Sequence, residues 1–346
     1  MFAARGELAA SGNHLGRARP ALAIEESKLM KKKLLVGAVM ATILSFGHAS
    51  ATDKPLRIIV PFQAGSATDA AARIIGEHLG KAAQRSVVVD NKPGAEGLIA
   101  AREVIRSSPS GDVLLFSTNT AITAVNTLNA KPFFDPLTDL SPIAQVAEFP
   151  FLLVSRPELP FNSAESFVSY AKKNPGKLTY AAGSSSSLIA MVQMMNMSGL
   201  EMHHIPYNSE PPAVVDLIGE RIDVMFATPT TTMGFLREGK LKAYLTTHKT
   251  RLENFPEVPT MRDIGLTDFP LIAWGGFFGP GKMSDAAKEQ LGKQINTVLA
   301  DREVVAALAK HNIVVSASGP KEFSAFVKEQ LELTAKVVEK NNLKRP

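Results

Sequence analysis

The 346-residue chain contains no cysteine, one tryptophan and four tyrosines. Without cysteine, disulfide frameworks, thiolate zinc sites, iron–sulfur clusters and cysteine nucleophiles are excluded. Long apolar runs are also missing. The run Leu34 to Phe46 covers 13 residues, short of the roughly 20 needed to cross a bilayer. Excess charge is missing from most of the chain too. The formal net charge is +5, but residues 1–51 carry seven Lys+Arg against three Asp+Glu, which leaves +1 for the rest. Those remaining charges are mixed and dispersed, so the basic stripe of a nucleic-acid binder is not there.

Several catalytic signatures are absent as well: there is no G-x-S-x-G elbow, no G-x-x-x-x-G-K-[ST] loop and no G-x-G-x-x-G after a strand. Gly279-Pro280-Gly281-Lys282-Met283-Ser284 resembles a phosphate loop only in outline, and its prolines and short spacing read as a turn before a helix. His203 and His204 are adjacent in an expected strand and point to opposite faces, so they do not form a metal pair.

What is present begins with a leader. Met30 precedes Lys31, Lys32 and Lys33, the apolar run follows, and Ala49-Ser50-Ala51 supplies an A-x-A cleavage site. This reads as a secretory signal peptide over 30–51, with residues 1–29 an upstream extension and the mature chain starting near Thr52. Beyond it, short β-rich runs alternate with amphipathic helical stretches, the pattern of α/β domains with mainly parallel sheets. Strands are expected at Leu56–Val60, Ser86–Val89, Val113–Ser117, Phe151–Ser155, Leu178–Ala181, Met202–Ile205, Asp223–Phe226, Leu241–Thr246 and Trp274–Phe278. Thr68 or Asp69 is expected to cap a helix that ends at Gly80, Ser163 a second, and Pro320 to open a long C-terminal helix. Met191, Met194, Met195 and Met197 fall on one helix and read as core filler.

Four polar loops follow strands and lead into helices. The first is Pro61-Phe62-Gln63-Ala64-Gly65-Ser66-Ala67-Thr68-Asp69, in which Gly65 permits close backbone approach and Ser66 and Thr68 supply hydroxyls. The others are Ser117-Thr118-Asn119-Thr120, Gly183-Ser184-Ser185-Ser186-Ser187 and Thr228-Pro229-Thr230-Thr231-Thr232. Unpaired N–H groups at a helix start, with the macrodipole behind them, bind anions without Lys or Arg. In open α/β sheets, ligands sit at this edge. Two such loops facing each other would clamp an elongated anion.

These residues also carry a resemblance. Pro55-Leu56-Arg57-Ile58-Ile59-Val60-Pro61-Phe62 with Gly65 and Asp69, Val89-Asp90-Asn91-Lys92-Pro93-Gly94-Ala95, Asp135-Pro136-Leu137-Thr138-Asp139-Leu140-Ser141-Pro142-Ile143, His204-Ile205-Pro206-Tyr207 and Asp223-Val224-Met225-Phe226 run in order along the chain. In this the sequence resembles the Bug-type periplasmic solute receptors of tripartite tricarboxylate transporters. The resemblance implies an α/β, two-lobed periplasmic binding protein (type II-like, a Venus flytrap). Residues 52–151 with 276–346 would form one domain and 152–275 the other. It implies a small organic carboxylate ligand, delivery to the large and small membrane subunits of the transporter, a monomer, no cofactor and no catalysis. Contacts would come from Phe62 to Asp69, with Asp69 organising its loop, and from Gly183 to Ser187, Tyr207 and the loop starting at Thr228.

The sequence departs from the family around the expected cleft. Ser66 replaces a second glycine, Leu188 or Ile189 a histidine, Asn208 and Ser209 a basic residue and a glycine, and an acid expected near Thr228 is absent. The loss of charge points to a ligand less charged or more apolar than citrate: a monocarboxylate, an aromatic acid or a neutral compound. A ligand sensor on the same fold and a secreted hydrolase are the alternatives.

Overall fold

Leu56–Val60 forms β1, a branched apolar strand buried at four of its five positions, as expected of a strand covered on both faces. In the computed structural model, residues 54–345 are described, except 268 and 270–272. The leader and the upstream extension lie outside the described residues. The chain continues through α1 (Ala67–Ala83), β2 (Val87–Asn91), α2 (Leu98–Ile105) and β3 (Val113–Thr118), then a π-helical segment at Thr120–Ala124 leading into α3 (Val125–Leu128), and β4 (Leu140–Phe149). Next come β5 (Leu152–Ser155), α4 (Ala164–Lys173), β6 (Thr179–Ala182), α5 (Ser185–Ser198), β7 (His203–Pro206), α6 (Glu210–Ile218), β8 (Val224–Ala227), α7 (Pro229–Arg237) and β9 (Lys242–Thr246). It returns through β10 (Ala273–Pro280), α8 (Asp285–Leu299), α9 (Arg302–Lys310), β11 (Val314–Ser318) and α10 (Pro320–Lys340).

The strands form two sheets, one ordered β11-β4-β10-β3-β1-β2 and the other β7-β6-β8-β5-β9. Each belongs to one lobe. The chain leaves the first sheet after Phe149, enters the second at Leu152, and returns between Thr246 and Ala273.

Both sheets are mixed, which corrects the expectation of mainly parallel pairing. β1 is parallel to β2 and β3, but β10 runs antiparallel to β3 and β4. In the second sheet β6 is parallel to β7 and β8, while β5 runs antiparallel to β8 and β9. The antiparallel members flank the two crossings, where the chain passes between lobes without a βαβ return. Two strands, β4 and β11, also escape the sequence reading. Polar residues and Pro142 interrupt the apolar run of β4, yet it is buried at nine of ten positions because β10 and β11 pair with both its edges.

Helix α1 starts and stops differently from the expectation. Ser66, not Thr68 or Asp69, is its N-cap, and the helix passes through Gly80 to Ala83, where Gln84 adopts φ 48°. Gly80 serves packing instead: a Cβ there would lie 2.9 Å from the Arg85 carbonyl oxygen. The Ser163 cap and the Pro320 start hold as expected. Met191 and Met194 are buried in the core, and Trp274 packs edge-on against Phe323 and Phe326. Gly275, on β10, makes room for a neighbour: a Cβ would sit 2.7 Å from the ring of Phe149. Among the described residues, no helix is long and apolar enough to cross a membrane.

Candidate functional site

The loop after β1 is held from behind by one carboxylate. Asp69 Oδ2 accepts from the Gly65 N–H at 2.9 Å and from Arg73 Nε at 3.1 Å. Its Oδ1 accepts from Asn91 Nδ2 at 2.9 Å, and the same Asn91 group donates to the Phe62 carbonyl at 3.0 Å. Burial alone would raise the Asp69 pKa, but the bonds from Arg73, Gly65 and Asn91 outweigh it and hold the carboxyl below its ordinary value. Gly65 adopts φ 83° with open space where a Cβ would point, so its requirement is conformational. Ser66 Oγ accepts from the Asp69 N–H at 3.2 Å. The cap thus satisfies the third N–H of α1 and leaves those of Ala67 and Thr68 to whatever lies beyond the helix start.

The second lobe repeats the device. Ser184 Oγ accepts from the Ser187 N–H, and Ser187 Oγ accepts from the Ser184 N–H, each at 3.2 Å. This reciprocal cap leaves the N–H groups of Ser185 and Ser186 outside the helix ladder. Gly183 just before it is fixed by a neighbour. A Cβ there would lie 2.5 Å from Glu210 Cα and 2.6 Å from Glu210 N, so the close approach of α6 requires glycine.

Glu210 opens α6 behind the N-cap Ser209. Its Oε1 accepts from Thr228 N–H at 3.0 Å, from Thr228 Oγ1 at 2.6 Å and from Thr231 Oγ1. Burial raises the Glu210 pKa, opposed by these threonine donors, which favour the ionised form. The acid absent from the sequence next to Thr228 is therefore supplied in space by Glu210.

These strand ends surround a cavity. Of the residues expected from sequence, Phe62, Gln63, Ser66, Thr68, Thr118 and Asn119 line it from the first lobe. Gly183, Ser184 and Thr228 line it from the second. Ala64, Gly65, Asp69, Ser185, Ser187, Tyr207, Pro229 and Thr230 do not. Gly65 and Asp69 brace the loop instead, and the Ser187 hydroxyl is engaged in the cap. The Tyr207 hydroxyl donates to Asp216 at 2.7 Å, and burial together with that carboxylate raises its pKa to about 12. Thr230 Oγ1 donates to the carbonyl of His311 in the other lobe at 2.9 Å.

Ala67, Thr120 and Ser186, inside the expected loops, also line the cavity, whereas sequence reasoning missed Ser209, Glu210, Pro211, Phe149, Phe151 and Ala273. For Ser209 to Pro211 a signal existed, since strand, cap residue and proline-led helix repeat the design of the other loops. Phe149, Phe151 and Ala273 stand at the crossings, and nothing local marks them. Three aromatic rings, hydroxyls, helix starts and one carboxylate make up the wall of the cavity.

Comparison with known proteins agrees with this geometry. The family described as tripartite tricarboxylate transporter family receptor (TctC) matches residues 71–343. Protein BugT of Bordetella pertussis is 29% identical over 296 residues, covering 84% of this chain and 90% of its own. The solved structure of the periplasmic binding protein BugD superposes with a TM-score of 0.78 at 29% identity, covering 85% of this chain and 99% of its own. MatC from Rhodopseudomonas palustris with bound malate does so with a TM-score of 0.75 at 27% identity, covering 82% and 98%. From α1 to the end of α10 the likeness is continuous, and the chain belongs to the tripartite tricarboxylate transporter receptors, the Bug-type family of periplasmic solute-binding proteins.

Proposed function

We propose that this chain is an exported, non-enzymatic receptor that encloses a small organic carboxylate and delivers it to the membrane subunits of a tripartite tricarboxylate-type transporter. The observation that carries this reading is the pair of helix starts, α1 and α5, at one cavity. They come from opposite lobes and keep N1 and N2 N–H groups free of the helix ladder, which suits an anion without a basic side chain. The malate carried by MatC supports the ligand class. The leader at 30–51 would direct export. The segments 52–151 with 276–346 and 152–275 would act as two domains that close on the ligand, because a ligand moves that equilibrium only by contacting both.

Thermal unfolding of the chain from Thr52 against mono-, di- and tricarboxylates tests the reading. At 100 to 1,000 times Kd a ligand specific to the folded state adds roughly 2.7 to 4.1 kcal/mol, so one chemical group of acids should raise the midpoint by several degrees. Absence of any shift, with no acid released on denaturation and detected by mass spectrometry, contradicts it.

A further inference from the structure

The tail that follows α10 touches both lobes. Asn341 commits its whole side-chain amide there: Oδ1 accepts from Asn196 Nδ2, and Nδ2 donates to Gln193 Oε1 at 3.3 Å and to the Val337 carbonyl at 2.7 Å. Gln193 and Asn196 stand one turn apart on α5, so both belong to one face of that second-lobe helix. Two residues further on, Leu343 packs against Ala124, Leu128, Val337 and Val338 of the first lobe and Ile189 of α5. Ile189 is 1% exposed, so the joint excludes water. The tail then returns to the first lobe. The Arg345 N–H donates to the Leu128 carbonyl at 2.6 Å, and its guanidinium donates to the Glu96 carboxylate at 3.2 Å through both terminal nitrogens.

Both anchors of the tail, α10 and Arg345, belong to the first lobe, while its middle holds α5. Parting the lobes leaves the anchors intact, but it breaks the amide bonds to Gln193 and Asn196 and draws Ile189 out of the apolar joint. Contacts made in only one of two arrangements shift the equilibrium between them by their own free energy. Neither Asn341, Leu343 nor Arg345 lines the cavity, whereas the start of α5 puts Ser184 and Ser186 in its wall. From this we infer that Asn341–Arg345 is a clasp that holds α5 on the first lobe and raises the closed population before any ligand enters. Asn341 and Leu343 are then positioning residues: they act through α5 and touch no ligand. The inference rests on the two-lobe closure proposed above and adds the element that biases it.

Two thiol rates measured without ligand test the clasp, and the chain has no cysteine of its own to interfere. Thr120→Cys with Ser186→Cys, whose native hydroxyl oxygens lie 2.8 Å apart, cross-links under mild oxidant only when the lobes are together. Ser186→Cys alone, at a position 6% exposed, reacts with a bulky maleimide only when they part. The ratio of labelling to cross-linking therefore follows the open-to-closed equilibrium wherever it lies. Added to these backgrounds, Asn341→Ala and Leu343→Ala should each raise the ratio about fivefold, the size of one net hydrogen bond. Asn341→Ala with Gln193→Ala should raise it by less than the product of the single effects, because the two share a bond. That coupling separates a clasp between lobes from a loosened first lobe, and Leu343→Ala carries the test if Asn341→Ala fails to fold. An unchanged ratio in both single variants, or effects of Asn341 and Gln193 that simply multiply, overturns the clasp and leaves closure standing. Absence of any Ser186→Cys labelling in the folded protein overturns the opening of the lobes and the clasp with it. Neither result bears on which acid the cavity takes.

Discussion

Thr120 Oγ1 and Ser186 Oγ lie 2.8 Å apart, joining the segment after β3 in the first lobe to the first turn of α5 in the second. Both residues line the cavity. The bond exists only while the lobes are together, so it is one of the contacts that favour the closed arrangement. Thr230 Oγ1 to the His311 carbonyl, at 2.9 Å, and Asn254 Nδ2 to Asn312 Oδ1, at 3.0 Å, add to it elsewhere on the seam.

Thr120→Val and Ser186→Ala should each weaken ligand binding, and the double variant should lose less than the sum. A neutral hydrogen bond contributes about 1 kcal/mol net, which corresponds to roughly a fivefold change in Kd and a coupling of the same size. Calorimetric titration of the four proteins measures it. Strictly additive losses would mean that the pair does not act as a unit.

Asp69→Asn removes the negative charge and turns one of the two oxygens that unite Gly65, Arg73 and Asn91 into a donor. Loss of a satisfied buried partner costs about 1–3 kcal/mol, and ligand affinity should fall at least tenfold because the first loop loses its brace. The pH dependence has a definite sign. The Asp69 pKa is lowered in the folded state, so its stabilisation is present above the unfolded value of 3.8 and is lost as pH falls through the folded value. Acid unfolding curves of wild type and Asp69→Asn should therefore converge at low pH; a gap that persists there would contradict the role.

Gly183→Ala places a methyl group 2.5 Å from Glu210 Cα, and backbone must move to relieve it. Overpacking of this kind costs about 1–3 kcal/mol. The displaced group is the start of α6, which carries Ser209 and Glu210, so the loss of affinity should exceed that of Ser184→Ala, which removes one hydroxyl of the wall and cap without moving backbone. Denaturant unfolding and titration of both variants check the order.

His248 Nε2 lies 3.5 Å from Glu148 Oε2, between the segment after β9 and the end of β4. The hydrogen bond to Glu148 raises the His248 pKa against the opposing effect of burial, and the Thr250 carbonyl adds to the rise. The stabilisation is thus complete below the ordinary value of 6.5 and is lost as pH rises through the raised value. His248→Gln should flatten the decline in stability that sets in as pH rises above 6.5, while leaving acid unfolding unchanged. Chemical unfolding at a series of pH values tests this, and a decline equally steep in the variant would rule His248 out as its source.

The parts of the site readable from sequence are those with local causes. Gly65 and Ser66 after β1, and Gly183 and Ser184 after β6, announce themselves as strand end, turn and cap within a few residues. Glu210 does not, because its place in the wall depends on α6 meeting α7, so Asn208 looks like a simple loss of charge. Tyr207 misleads in the opposite direction: its hydroxyl is polar and near the cavity loops, yet Asp216 on the following helix takes it. Phe149 and Phe151 become lining residues only through the crossing between sheets. The same long-range cause hides β4, whose strand state depends on β10 and β11 rather than on its own pattern.

A crystal structure of the protein with the carboxylate that most raises its unfolding midpoint tests the central claim most directly. The account predicts one ligand molecule between the two sheets, with carboxylate oxygens within about 3.2 Å of N–H groups at the start of α1 or α5 and no Lys or Arg in contact. A carboxylate bound outside this cavity, or held by basic side chains away from both helix starts, would contradict it.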